Sequence, residues 1–351
     1  MIVLLIGTIP EARRFERVTL LFIMISLWLV VALSESVGPD YDSYRAMYDA
    51  QNNNFAKQEF MFRWIGNWLS GNGFSFQVFY FTMISLYLFF LYYVFKRYRN
   101  YLVLNFLIFI IMPYGLIEGG FTYIRQNVAI AIFYFSLIYL VERRLIKYFA
   151  CAFVAMLFHK SAALVIPVYF LAKKKISSQK SLLIYFSVLT FSLLLILPAF
   201  RSLIFAGIGL IPGYGNTYLE FRGGEFLTTV STKGMVSYVY QALPIILLMI
   251  YRNSVVKSEI DNVLYNLTLF SLIALTLALQ MRIMLRVEYY FVIAKVFSIP
   301  LLLNACETKR NRTISLLAMI AYFSIYFVAL YYTGAEKHLF PYRTIFGFEV
   351  L

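Results

Sequence analysis

Long apolar runs separated by short polar stretches recur along the whole chain. The hydrocarbon core of a bilayer is about 30 Å thick and needs about 20 apolar residues per helix, which matches the length of these runs. The chain is therefore predicted to be an all-α polytopic membrane protein. Nine membrane spans are predicted, near residues 18–33, 74–95, 101–117, 127–141, 182–200, 235–251, 263–279, 287–303 and 314–332.

The segment 148–172 is predicted to form two short helices, 148–158 and 162–172, instead of one span. Basic residues flank it on both sides. Positive charge collects on the cytoplasmic side of a membrane, so both flanks should lie inside. Two helices that meet at the His-Lys-Ser sequence 159–161 satisfy this rule if the break is buried in protein or lines a wet cavity. The total is then about eleven transmembrane helices.

Composition narrows the class of protein further. Of the 351 residues, 62% are hydrophobic and 14% are charged, which excludes an ordinary soluble domain. The net charge of +14 comes largely from basic residues in turns assigned to the cytoplasmic side, and they form no continuous stripe, so nucleic-acid binding is not predicted. Cys151 and Cys306 fall in apolar helices, where packing is favoured over a disulfide or a metal site. Without an internal repeat or a low-complexity linker, residues 1–351 are predicted to form one transmembrane domain.

Two outer loops, 34–73 and 201–233, are long enough to hold structure. In the first loop, Asp42 is suited to cap a short helix, and aromatic residues recur every four positions on a second helix. Both helices are expected to lie as amphipathic segments on the outer membrane surface. The second loop is rich in glycine and is expected to be a mobile lid or an irregular connector. The aromatic residues of the first loop are suited to a belt at the membrane interface or to contact with a ligand, and they are Tyr41, Tyr44, Tyr48, Trp64 and Trp68.

Charged side chains stand at the outward-facing ends of several predicted spans, and they are Arg125, His159, Arg282, Arg286 and Arg343. A charge at membrane depth costs about 2.5–3.5 kcal/mol on insertion scales, so it usually faces a cavity, a partner or an anionic ligand. The chain is therefore predicted to bind an anion at a membrane surface. The alternative is snorkelling to the head groups or pairing with Glu118 or Glu288. Lys295, two turns from Glu288 on the same face of a predicted span, either forms a buried ion pair with another helix or lines a cavity.

Four residues are candidates for proton transfer, namely His159 and three carboxylates. His159 lies at the predicted helix break, where it can donate to a phosphate, accept a proton or bond to the backbone. Asp40, Asp42 and Glu59 are the carboxylates of the first outer loop. The competing interpretations are helix capping by Asp42, pairing of Glu59 with Arg63, and simple solvation of Asp40. The Asp-Tyr-Asp sequence 40–42 matches a short metal-binding pattern, but so short a motif recurs by chance, and no metal is predicted.

Five short motifs occur in a fixed order. Gly-Pro-Asp-Tyr-Asp-Ser-Tyr at 38–44 is followed by Glu59, by Tyr-Ile-Arg-Gln-Asn-Val-Ala at 123–129, by Leu-Phe-His-Lys-Ser-Ala-Ala at 157–163 and by Pro-Tyr-Arg at 341–343. Their combination resembles the EpsG family of polysaccharide polymerases, relatives of the Wzy O-antigen polymerases. The chain departs from the family pattern at 34–36, where Ser-Glu-Ser stands in place of a frequent arginine, and in a curtailed first helix.

The resemblance implies a GT-C-like fold and an enzyme that joins undecaprenyl-pyrophosphate-linked oligosaccharide units. The reaction takes place at the periplasmic face of a bacterial inner membrane, during O-antigen, capsule or exopolysaccharide synthesis. Implied partners are the lipid-linked donor and acceptor, the bilayer and a Wzz-type chain-length regulator, with no cofactor, metal or nucleic acid. For such a reaction, the predicted pyrophosphate-binding residues are Arg125, Gln126, Arg282, Arg286 and Arg343, and the predicted catalytic candidates are His159, Asp40, Asp42 and Glu59. Arg282 and Arg286 lie outside the five motifs and are proposed from the chemistry of arginine alone. The aromatic residues of the first outer loop are then either an interface belt or a surface for the sugar chain.

Two other function classes share part of this pattern. An O-antigen ligase uses the same donor and differs in its acceptor, which sequence distinguishes poorly. A flippase or another transporter of lipid-linked oligosaccharides is expected to show interrupted helices at matching positions in two halves. Only the segment 148–172 shows an interruption in the sequence.

Overall fold

Helices make up most of the computed structural model, which describes residues 16–50, 55, 57–98, 100–200, 202–203, 232–282, 284–332 and 341–350. The prediction of a helical membrane protein is confirmed. The glycine-rich loop predicted at 201–233 lies almost entirely outside the described residues. Two compact units are present, the first formed by Met1–Leu171 with Thr308–Leu351 and the second by Ala172–Glu307.

The first unit contains nine α-helices, a π-helix, a 3-10 helix and two short strands among its described residues. The elements are α1 (Glu16–Ala32), α2 (Tyr41–Ala50), α3 (Phe60–Gly71), α4 (Phe76–Arg97), α5 (Leu102–Ile111), the π-helix Leu116–Gly120, α6 (Ile124–Val141), α7 (Leu145–Phe158), the 3-10 helix Lys160–Val165, α8 (Val168–Leu171), α15 (Lys309–Tyr332), β1 (Tyr342–Arg343) and β2 (Glu349–Val350).

The second unit is helical throughout its described part. Its elements are α9 (Ser178–Leu194), α10 (Thr232–Ile250), α11 (Arg252–Val255), α12 (Glu259–Ala278), α13 (Met284–Tyr289), α14 (Val292–Ser298) and the 3-10 helix Ile299–Ala305. Helix α12 packs against α9, α10, α13 and α14. A capping box between Ser258 and Asp261 begins α12, because each side chain accepts a hydrogen bond from the backbone of the other.

Four of the described helices are long and apolar enough to cross a membrane: α4, α6, α12 and residues Lys309–Ala329 of α15. Seven shorter apolar helices occur at the positions of the other predicted spans: Val18–Ala32, Leu102–Ile111, Leu145–Phe158, Lys160–Leu171, Ser178–Leu194, Gly234–Ile250 and Val292–Ala305. The total of eleven spans stays a prediction.

The core of the first unit is built around α6, which packs against α4 and α7. Its apolar side chains are buried on several faces, and Ala129 and Ala131 are fully buried. Small residues at such positions let neighbouring helix backbones approach closely. Ser136 is also buried and donates to the Phe133 carbonyl at 2.6 Å. Helix α6 is therefore held firmly in the core, and its N-terminal end carries Arg125.

The predicted break after α7 is confirmed. Helix α7 ends at Phe158, His159 has an extended backbone, and the 3-10 helix follows at once. The Tyr148 hydroxyl donates to the Val165 carbonyl at 2.7 Å, so the two segments run side by side in opposite directions. A 3-10 helix and the short α8 replace the second predicted α-helix.

Three local predictions are corrected. Helix α2 begins at Tyr41, so Asp42 lies inside its first turn and does not occupy the capping position. The predicted span 287–303 is not continuous, because α13 ends at Tyr289 and α14 begins at Val292. The spacing of Arg282 and Arg286, four residues apart, predicts one shared face if the segment is helical, but Arg282 precedes α13 and lies outside that helix.

A small hairpin near the C-terminal end was not predicted. Tyr342 pairs with Val350 and Arg343 with Glu349 in antiparallel register. The Arg343 carbonyl accepts from the Glu35 amide at 3.0 Å, and Tyr342 donates to the Val30 carbonyl at 2.6 Å. The hairpin therefore closes over the connection between α1 and α2.

Candidate functional site

Arg125 lies at the centre of the candidate site, in the first turn of α6. Its Nη1 donates to Gln58 Oε1 and to Glu59 Oε2. Its Nε donates to the Tyr44 hydroxyl oxygen at 3.4 Å. The guanidinium also lies 5.6 Å from the centre of the Tyr44 ring and 5.4 Å from the centre of the Phe62 ring. Cation–π contact of this kind favours a fixed orientation for the charge.

Helices α2 and α3 supply these partners because each has one buried aromatic face. Tyr41, Tyr44 and Tyr48 recur at helical spacing on α2 and are all buried. Phe62 lies on the inner face of α3, while Trp64 on the outer face is 54% exposed. The tyrosines of α2 therefore pack inside the first unit. Of the aromatic residues in that prediction, Trp64 and Trp68 are exposed on α3.

The turn before α6 is fixed by two contacts. The Asn127 side chain donates to the Gly119 carbonyl at 3.0 Å and to the Gly120 carbonyl at 3.3 Å. Gly38 has φ +89°, and a Cβ there would lie 2.8 Å from the Phe121 carbonyl oxygen. Only glycine suits both this backbone conformation and this approach. The loop motif at 38–44 thus packs against the turn that leads to Arg125.

Glu59 joins Arg125 to the break after α7. Its Oε2 lies 2.5 Å from Arg125 Nη1, and its Oε1 accepts from the Lys160 amide at 3.3 Å. Burial alone would raise the pKa of the Glu59 carboxyl. Arg125, the backbone amides of residues 59 and 160 and the nearby His159 outweigh burial, and they hold this pKa below its ordinary value. Glu59 therefore carries its charge at neutral pH.

His159 and Ser161 form the other side of this break. His159 Nδ1 lies 2.6 Å from Ser161 Oγ, which is hydrogen-bond distance. Since His159 acts electrostatically on Glu59, the structure brings together three of the predicted site residues, namely Arg125, Glu59 and His159. They come from three separate motifs. Each motif is only a few residues long, so their convergence is a property of the fold.

The remaining predicted residues of the first unit occupy different surroundings. Asp40 is half-buried and its charge acts on Tyr44, whereas Asp42 is exposed and accepts from Ser36 Oγ at 2.9 Å. Gln126 is buried, with 5% exposure. Arg343 lies in the hairpin, 3.5 Å from Glu349 Oε1. Within the described residues, no group of three or more histidine, cysteine, aspartate or glutamate side chains is arranged to hold a metal ion.

Arg282 and Arg286 belong to the second unit, where both side chains are exposed. Glu288 pairs with Lys295, which is the buried ion pair that the sequence offered as one of two alternatives. The predicted pairing of an arginine with Glu118 involves a side chain that the structure does not describe. The partner of Glu59 is Arg125, 66 residues away, and the predicted pairing with Arg63 at helical spacing is not the contact that defines the site.

Sequence reasoning missed Gln58, Phe62 and Asn127 as site residues, and it named Tyr44 without predicting its contact with Arg125. Tyr44 and Asn127 fall within the motifs and Gln58 precedes Glu59, so proximity to a motif was the available signal. Phe62 carried no signal of its own.

Fold and site together define a multi-pass helical membrane protein with an arginine-centred site at the end of an apolar helix. The chain belongs to the EpsG family, whose model matches residues 17–344. The resemblance drawn from the five motifs is thereby confirmed, and family membership indicates a role like that of a polysaccharide polymerase. No curated protein and no solved structure matches the chain.

Proposed function

We propose that this protein is a polysaccharide polymerase, a glycosyltransferase that joins undecaprenyl-pyrophosphate-linked oligosaccharide units. Membership of the EpsG family supports this function. The observation that carries it is the state of Arg125. Its Nε and Nη1 are engaged, whereas its Nη2 donates to no acceptor among the residues that the structure describes.

An unused guanidinium edge suits the donor of this reaction. A sugar joined to a lipid pyrophosphate leaves negative charge on the phosphates as the glycosidic bond breaks. Fixed hydrogen-bond donors aimed at that charge lower the barrier more than any other single contribution. Arg125 Nη2 can donate to a phosphate oxygen while Nη1 stays bonded to Glu59. Arg282, Arg286 and Arg343 are exposed and are further candidates for binding the donor.

In this proposal, proton transfer takes place at the break after α7, where His159 lies. His159 can accept the proton of the attacking hydroxyl or donate to a phosphate, because its ring nitrogens serve either purpose. Asp40 and Asp42 are the alternative acceptors in the first outer loop. No cofactor or metal takes part in the proposed reaction.

The finer architecture belongs to the same proposal. Four long and seven shorter apolar helices support about eleven transmembrane helices, in a single transmembrane domain with a GT-C-like fold. The site then faces the periplasm from a bacterial inner membrane, and the two longer outer loops lie on that side. A Wzz-type chain-length regulator is the proposed protein partner, beside the lipid-linked donor and acceptor.

Deletion of the gene with analysis of the surface glycan tests this function. A polymerase predicts that single repeat units remain attached to the lipid or the cell surface. Full-length chains without attachment to lipid A-core would identify a ligase, and loss of all surface glycan would identify a flippase. Either result would contradict the proposal.

A further inference from the structure

We infer that Glu59 is a positioning residue. It holds the Arg125 guanidinium and the His159–Lys160 backbone in fixed relative positions, and it does not take the proton of the acceptor hydroxyl. The inference rests on the proposed function, since it treats Arg125 as the group that binds the donor. It removes Glu59 from the candidates for general base and gives it a different task.

Both oxygens of Glu59 already have strong donors. Oε2 accepts from Arg125 Nη1 and Oε1 accepts from the Lys160 amide. Only 10% of the Glu59 side chain is exposed. A general base must lie within about 2.6–3.2 Å of the group that gives up its proton. The geometry therefore favours contacts within the protein over contact with an incoming hydroxyl.

The electrostatics of the site agree with that geometry. An efficient general base has a pKa near the operating pH. Arg125 and the backbone amides hold the pKa of Glu59 below its ordinary value, in spite of burial. A carboxylate in this condition is a weak base and a permanent anion. Such a group is suited to fixing a cation.

Glu59 also joins parts of the chain that no local structure connects. It stands just before α3, and its partners lie 66 residues away on α6 and 101 residues away after α7. One charge thus orients the guanidinium and the backbone beside the histidine together. Because Glu59 uses Nη1, the Nη2 edge of Arg125 is left for a phosphate oxygen.

Three substitutions separate positioning from base catalysis: Glu59→Gln, Glu59→Asp and Glu59→Ala. Each is made in the full-length protein, reconstituted in nanodiscs and assayed with a defined lipid-pyrophosphate-linked oligosaccharide. A positioning role predicts a donor KM raised about tenfold or more in Glu59→Ala, with a smaller rise in Glu59→Gln, which keeps one acceptor oxygen. Because Arg125 is still present but less well oriented, kcat should also fall, by less than the 10²–10³-fold expected for loss of the donor itself, and added formate should have no effect.

A general base predicts the opposite pattern. Glu59→Ala would then lose about 10²–10⁴-fold in kcat with an unchanged KM, and formate would restore part of the rate. Retention of wild-type KM and kcat in Glu59→Ala would also overturn the inference. Glu59→Gln and Glu59→Asp preserve most of the side chain and give the same discrimination if Glu59→Ala does not fold.

The matched control is Glu142→Gln, which removes the charge of an exposed pair with Arg144 at 2.8 Å. It should leave both kinetic constants unchanged. Arg125→Ala distinguishes the two levels of the argument. Wild-type polymerisation in Arg125→Ala would refute the proposed donor site, whereas an inactive Arg125→Ala with formate-rescued Glu59→Ala would refute only the positioning role.

Discussion

Two ion pairs, one in each unit, show how differently this protein uses charge. Arg125 and Glu59 in the first unit have side chains 20% and 10% exposed, and Arg125 retains an edge without a described acceptor. Lys295 and Glu288 in the second unit are 1% and 0% exposed. Lys295 also donates to Gln241 Oε1 at 2.8 Å, and Glu288 Oε1 accepts from Ser271 at 2.8 Å.

The difference in exposure separates a structural pair from one that can bind a ligand. Two charges buried together gain roughly what their desolvation costs, so the pair as a whole contributes little to stability. Loss of one partner is costly, because the other charge stays buried without compensation. Lys295 presents almost no surface to a ligand, whereas Arg125 does. We therefore expect the Lys295 pair to govern folding and the Arg125 pair to govern activity.

The largest expected effect follows from breaking the buried pair. Lys295→Met leaves the Glu288 carboxylate buried and uncompensated, which should lower the free energy of unfolding by about 3–5 kcal/mol. Loss of well-folded protein is measured by size-exclusion chromatography and by thermal unfolding in detergent. The double variant Lys295→Met with Glu288→Gln has no charge and keeps an acceptor for Ser271, so it should recover most of the stability.

A folded Lys295→Met protein that lost only its activity would reverse the comparison. Lys295 would then act on a ligand in spite of its burial.

Arg125→Ala should have the next largest effect, on activity. Removal of one preorganised donor from a developing negative charge costs about 10²–10³-fold in kcat. Arg125→Lys should recover little, because lysine supplies charge without the planar arrangement of donors. The measurement is chain extension by purified protein, with the thermal midpoint as the check on folding. Wild-type chain lengths in Arg125→Ala would favour simple snorkelling of the arginine.

Patterns within one helix or turn could be predicted from the sequence. Apolar runs located the long helices, and the basic flanks of segment 148–172 located the break at His159. The apolar run 127–141 located α6, which begins at Ile124 and carries Arg125 in its first turn. Each of these features depends on residues that are close in the chain.

Contacts between distant segments could not be predicted in the same way. Helical spacing suggested Arg63 as the partner of Glu59, yet the guanidinium of Arg125 is the one that reaches it. The hairpin at Tyr342 pairs with residues more than 300 positions earlier, and a two-residue strand has too little sequence to give a pattern. The inward direction of the α2 tyrosines depends on which face meets α3 and α4.

Gly38→Ala tests whether the turn that leads to Arg125 depends on close packing of the backbone against Gly38. Alanine at positive φ costs about 1–2 kcal/mol, and the new Cβ would also meet the Phe121 carbonyl oxygen at 2.8 Å. Gly73→Ala is the matched control, since Gly73 has φ +76° and nothing lies within 4 Å of an added Cβ. Overpacking should make Gly38→Ala less stable than Gly73→Ala by about 1–3 kcal/mol. Equal thermal midpoints for the two variants would show that the loop yields and does not fix the turn before α6.

The smallest effect is expected from Asp42→Asn. Asp42 is exposed, and an asparagine oxygen can still accept from Ser36 at the same position. The substitution removes a negative charge from the first turn of α2, where such a charge contributes about 0.3–1 kcal/mol. Polymerisation by the purified protein should therefore stay close to wild type, and a chelator should change neither enzyme. An inactive Asp42→Asn variant, together with wild-type protein that loses activity in chelator and regains it with a divalent cation, would contradict this expectation. That result would assign the Asp-Tyr-Asp sequence to metal binding. A metal held by the first outer loop would then help Arg125 to neutralise the pyrophosphate.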